Sequence, residues 1–80
     1  MSTVQTLGQL LKGQSGRITA IKEAADGLTQ RLMEMGFVEG NVVEVLYEAP
    51  FGGDPFAVRV RGAILALRRH EANLVEVTQI

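Results

Sequence analysis

Residues 56–67 carry the pattern that most restricts what this chain can fold into. Phe56, Val58 and Val60 alternate with Ala57, Arg59 and Arg61; after Gly62, Ala63, Leu65 and Leu67 alternate with Ile64, Ala66 and Arg68. A period of two is that of a β-strand with one face in a core. Residues directly opposite in an antiparallel pair share a face, so parity limits the connection. A two-residue turn at Arg61-Gly62 sets Val60 opposite Ala63, Val58 opposite Leu65 and Phe56 opposite Leu67. A turn at Gly62-Ala63 shifts the partners but keeps the faces. A one- or three-residue loop would set arginines against leucines unless a bulge restored the phase. The segment predicts a tight hairpin.

The same period precedes it. Past Gly40, Val43, Val45 and Tyr47 share one face, and Val42, Glu44, Leu46 and Glu48 share the other. Tyr47 and Phe56 are therefore expected in the core. Between these strands, Phe51-Gly52-Gly53-Asp54-Pro55 is a turn-rich connection that Pro50 and Pro55 bracket. Upstream, Asp26 precedes the best helical segment, residues 27–35, and is placed to cap it. Leu28, Leu32 and Met35 form its apolar stripe, and Gly36 suits the position just past its end.

The ends of the chain read less sharply. Leu7, Leu10 and Leu11 have the spacing of a short helix, which Gly8 and Gly13 limit to one or two turns. Residues 17–21 suit a strand, yet Ile18 and Ile21 fall on opposite faces of it, so its orientation stays open. Residues 68–73 suit a helical turn, and Val75 and Val77 a last strand. Five short strands in 80 residues cannot close a large barrel. The expected fold is mainly β with short helices: one domain over 1–80, a bent sheet curled on itself, with the 27–35 helix across one open end.

Composition removes whole classes of function. The chain has no Cys, which excludes disulfides, thiolate metal sites and cysteine nucleophiles, and its one His makes a zinc site implausible. Eight Lys+Arg against nine Asp+Glu give a net charge of −1, where nucleic-acid binders normally carry a basic surface. The longest apolar run, 63–67, is far short of the about 20 residues of a membrane span. Residues 1–5 lack the basic-then-apolar build of a signal peptide. Gly52-Gly53 has no following Lys-Ser/Thr, so it is not a phosphate loop. The expectation is a soluble intracellular protein that is not an enzyme and holds no cofactor.

The middle and carboxyl-terminal segments resemble a known family. Arg31-Leu32-Met33-Glu34-Met35-Gly36-Phe37-Val38-Glu39-Gly40 is similar to an element of the FeoA family. The similarity continues through Val43-Glu44-Val45, Ala49-Pro50-Phe51-Gly52-Gly53-Asp54-Pro55 and Val58-Arg59-Val60-Arg61-Gly62. It extends to Leu65-Ala66-Leu67-Arg68-Arg69, Glu71-Ala72 and Val75-Glu76-Val77. The resemblance implies an SH3-like five-stranded β-barrel. It also implies an accessory role in bacterial ferrous iron uptake, with the FeoB-type GTP-binding membrane permease as partner. The protein would be cytoplasmic, reaching the inner membrane only through that partner. The SH3-like domain of DtxR-type repressors shares the fold and supplies the alternative, a metal-linked regulatory domain.

The chemistry of individual residues adds to this. His70, in Arg68-Arg69-His70-Glu71, is expected to be a surface residue. Nothing in the spacing makes Glu34, Asp54 or Glu76 converge with it on iron. Arg59 and Arg68 share the polar face of the hairpin, with Arg61 at its tip, and Glu44 and Glu48 are their expected cross-strand partners. The rival reading is a positive patch for an acidic partner. Val42 and Leu46 are expected to be covered as a second small core. Phe51, between Pro50 and two glycines, is instead read as a contact for a partner or a second copy. The candidate partner-binding set is therefore Pro50, Phe51, Gly52, Gly53, Asp54, Arg59 and Arg61.

Overall fold

The structure, a computed structural model, describes residues 5–80; residues 1–4, most of the segment read for a signal peptide, lie outside the described residues. The elements in chain order are β1 (Gln5–Thr6), a 3₁₀ turn (Leu7–Gln9), β2 (Ser15–Ile21), a second 3₁₀ turn (Ala25–Gly27) and α1 (Leu28–Glu34). After these come β3 (Val42–Glu48), β4 (Phe56–Val60), β5 (Ala63–Leu67), α2 (Arg69–Ala72) and β6 (Val75–Gln79). The strands form one antiparallel sheet in the order β1-β6-β2-β3-β4-β5. Among the described residues there are six strands rather than five. The additional strand is Gln5–Thr6, just before the short helical segment, which pairs with Val77 and Glu76. The helix that follows is only a 3₁₀ turn. With three residues per turn, Leu7 and Leu10 eclipse and are buried, while Leu11 is rotated out to solvent.

The hairpin has the register that parity allows with the turn at Arg61-Gly62: Val60 opposite Ala63, Val58 opposite Leu65, Phe56 opposite Leu67. Arg61 (φ 53°) and Gly62 (φ 81°) both have positive φ, the signature of the type I′ turn that matches the twist of a two-stranded ribbon.

Two bulges change the phase elsewhere. In β3, Val45 faces Val58, but Tyr47 faces Ala57 and Glu48 faces Phe56. One extra residue at Leu46 thus turns Tyr47 outward, where it is 63% exposed rather than in the core, and turns Glu48 to the side of Phe56. In β2, Ile18 faces Val77 while Ile21 faces Val75, with the register shift lying between Ile18 and Ala20. That shift puts both isoleucines on the inner face and orients a strand whose alternation alone did not.

The helix differs from its expectation at both ends. Asp26 does not cap it. Asp26 lies in the preceding 3₁₀ turn with φ 67°, and Gly27 is the residue before the first helical position. Thr29 is buried, its hydroxyl donating to the carbonyl of Lys22 at 2.7 Å. Leu32 is fully buried and Leu28 packs at the core's edge, but Met35 has left the helix and is exposed. The exit explains this. Phe37 N–H donates to the Leu32 carbonyl at 3.0 Å and Gly36 N–H to the Met33 carbonyl at 3.1 Å. With Gly36 at φ 107° this is a Schellman motif, which brings Phe37 back against Leu32. Both side chains are fully buried in a core shared with Leu7, Leu10, Ile18, Val43, Val45, Phe56, Val58, Val60 and Val75.

Candidate functional site

The connection between β3 and β4 is held from beneath by one side chain. Arg69, the first residue of α2, points its guanidinium under this loop rather than into solvent. Its Nη2 donates to Glu48 Oε2 at 2.7 Å, and its Nε to the Gly53 carbonyl at 3.1 Å. Its Nη1 donates to the carbonyls of Gly8, at 3.2 Å, and Leu10. The guanidinium carbon sits 4.0 Å from the centroid of the Phe56 ring, a cation–π stack. Glu48 is in turn fixed by the Lys12 N–H, 3.1 Å from Oε1. The Asp54 carboxylate accepts from the Arg69 N–H at 3.0 Å, at the start of α2. One cation therefore joins the loop, the amino-terminal turn and the sheet.

Above this anchor the loop presents Phe51. Ala49 N–H donates to the Pro55 carbonyl and Gly53 N–H to the Ala49 carbonyl, each at 3.0 Å, which closes the base of the loop. The Asp54–Pro55 peptide is cis. Phe51 takes a positive φ of 63°, unfavourable for a residue with a Cβ, and its side chain is 102% exposed. The core does not require this conformation, since the Phe51 ring contributes nothing to it.

Of the candidate residues, Pro50, Phe51, Gly52, Gly53 and Asp54 lie together in this loop. Arg59 and Arg61 do not join them. Arg59 lies on the outer face of β4, paired with Glu44 at 3.3 Å, and Arg61 is at the far end of β4 from the loop, its side chain against Gly36. The partner of Glu48 is Arg69 and not Arg68, because the β3 bulge turns Glu48 inward. Arg69 escaped the sequence reading. The available signal was the Arg68-Arg69 doublet at a strand-to-helix junction, where adjacent side chains must diverge. The expected cover over Val42 and Leu46 is also missing in part: Leu46 is half-buried, but Val42 is 41% exposed on the open outer face of β3. His70 is exposed.

Among the described residues, no group of three or more His, Asp or Glu side chains gathers as a metal site would require. No helix among them is long and apolar enough to cross a membrane.

With this geometry in hand, three comparisons place the chain. The FeoA domain model matches residues 5–79. The crystal structure of Stenotrophomonas maltophilia FeoA with zinc, a procaryotic SH3-domain protein, is 34% identical over 95% of each chain, with a TM-score of 0.84. The FeoA protein of Chlorobium tepidum is 36% identical over 91% of this chain and 68% of its own, with a TM-score of 0.79. A manganese-dependent transcriptional repressor matches with a TM-score of 0.83 over 43% of its length, but at 19% identity this likeness is one of fold. No curated protein matched by sequence. The fold is the SH3-like one that the resemblance implied.

Proposed function

The chain belongs to the FeoA family, linked to ferrous iron transport, and from that premise we propose that it works by docking on the cytoplasmic side of a FeoB-type GTP-binding permease. The observation that carries this reading is Phe51, fully exposed on a loop that Arg69 and Glu48 hold rigid. An aromatic anchor pre-ordered in the free protein loses little entropy on binding, which is where small contact surfaces gain affinity. The suggestion that the Stenotrophomonas relative is a ferrous iron transport activating factor supports the same direction. The protein acts here by binding and not by catalysis, from the cytoplasm, meeting the membrane through its partner alone. Docking changes transport only if the permease's conformational states bind the protein with different affinity.

A tagged pull-down from solubilised membranes of the host, with partners identified by mass spectrometry, tests this. The expected result is capture of the permease by the native chain and its loss with Phe51→Ser. Equal capture by Phe51→Ser refutes the loop as the docking surface. Capture of a soluble metalloregulator in place of the intact permease would favour the regulatory-domain reading.

A further inference from the structure

A second surface, built from other residues, lies along the free edge of the sheet. In the hairpin, the pair that closes a two-residue turn, Val60 and Ala63, exchanges backbone hydrogen bonds, and alternation then assigns the next exchange to Val58 and Leu65. The N–H and C=O groups of Ile64 and Ala66 therefore point away from β4. β5 is the last strand of the sheet, and neither residue's backbone groups find another backbone partner among the described residues. Exposed edges are normally blunted by Pro, Lys or an inward-pointing charge. This one reads Ala63-Ile64-Leu65-Ala66-Leu67, with none of these, and Ile64 is 58% exposed.

The edge also has a second wall. A groove of about 420 Å³ separates it from α1, lined by Ala66 and Leu67 on one side and by Leu28, Leu32 and Met35 on the other. Arg31 stands on the helix side, Arg61 lies over Gly36 past the end of α1, and Arg68 follows β5. None of the three has a carboxylate within 4.0 Å among the described residues, since the ion pairs are Lys22–Glu76, Arg59–Glu44 and Arg69–Glu48. Glu34 and Glu71 also line the groove, and one Glu71 oxygen is taken by the Arg68 N–H at 3.0 Å. The groove itself is lined by one guanidinium, Arg31, and two carboxylates, Glu34 and Glu71, so the positive charge without an ion-pair partner among the described residues lies at the two ends of β5, on Arg61 and Arg68.

We propose that this edge accepts an extended, acid-flanked apolar segment of a partner protein as a seventh strand. Backbone bonds to Ile64 and Ala66 supply the pairing. Alternate apolar side chains enter the groove beside Met35. Carboxylates at the two ends meet Arg61, in the turn before β5, and Arg68, just after it; the five residues of β5 between them span roughly 17 Å of extended backbone. Charge disfavours a second copy in this place. A two-fold through Leu65 would pair Ile64 with Ala66 of the copy, but would bring Arg68 beside the copy's Arg61, like charge against like.

The probe is the peptide acetyl-Asp-Val-Thr-Val-Thr-Val-Asp-amide, followed by amide hydrogen exchange and ¹⁵N chemical shifts. Exchange at Ile64 and Ala66 is expected to slow on binding. A Lys-ended version of the peptide is expected to bind at least about tenfold more weakly. Ala66→Pro removes an outward N–H without touching the ladder to β4, and is expected to abolish binding. If that variant fails to fold, Arg31→Glu at an exposed helix position is expected to weaken binding at least about tenfold. No change at the two amides with about 1 mM peptide, or equal binding of the Lys-ended peptide, overturns the proposal. So does slow exchange there that grows with protein concentration alone, which would assign the edge to a second copy. None of these outcomes depends on Phe51, so the two surfaces fail or hold separately.

Discussion

Replacing Arg69 with Met keeps a stem of similar length over the Phe56 ring and removes only the cation and its donors. The native guanidinium donates to Glu48 and to the carbonyls of Gly8, Leu10 and Gly53, with side-chain exposures of 18% for Arg69 and 28% for Glu48. Removing one partner of a fully buried ion pair costs about 3–5 kcal/mol. Glu48 keeps the Lys12 N–H and is partly open to water, so its abandoned charge is partly rehydrated. The cost expected for Arg69→Met is therefore about 2–3 kcal/mol, the size of one or two hydrogen bonds to charged groups. For a domain of this length that lowers the melting temperature by roughly 10–20 °C. Urea unfolding measures it, and a double-mutant cycle with Glu48→Gln should return a coupling of about 1–2 kcal/mol. A loss below about 0.5 kcal/mol for Arg69→Met, or additivity in the cycle, refutes the view that this pair anchors the loop.

Three further substitutions separate the core from the surface and the loop. Phe37→Ala empties a fully buried site behind Leu32 and is expected to cost about 3–5 kcal/mol in urea unfolding, against under about 1 kcal/mol for exposed Tyr47→Ala. Phe51→Gly relieves a positive φ of 63° without uncovering any core, so it should leave stability unchanged or raise it by up to about 1 kcal/mol while permease capture falls.

What the sequence made legible was whatever strict periodicity governs. The Phe56–Leu67 pairing follows from parity because nothing interrupts alternation between the two strands of that hairpin. Gly36 is likewise readable, since a residue without a Cβ after an apolar stripe marks a helix exit. The bulges are not readable in this way. A single extra residue at Leu46 or Thr19 leaves composition and propensity unaltered, yet it reverses which side Tyr47, Glu48 and Ile21 occupy. The anchor was hidden for the same reason. Glu48 looked like an outward-facing cross-strand partner, so its need for an inward cation could not be seen. Phe37, fully buried, sits in no periodic segment, and only the backbone bonds of the helix exit bring it home. Of the candidate site, the loop residues 50–54 do sit together, whereas Arg59 and Arg61 share only a chain neighbourhood with them.

The strand order has a consequence for the order in which the molecule can assemble. β6, residues Val75–Gln79, lies between β1 and β2, which come from the first quarter of the chain. The β3–β4–β5 meander can form from neighbours in sequence. The opening strands have no mate on that side until the last strand arrives to bridge them. Closing so long a loop before the reward of pairing slows folding towards the milliseconds-to-seconds range of small all-β domains. During synthesis, Ile18, Leu7 and Leu10 therefore stay uncovered until nearly the whole domain has been made, and the shielding of its earliest residues waits on its latest ones.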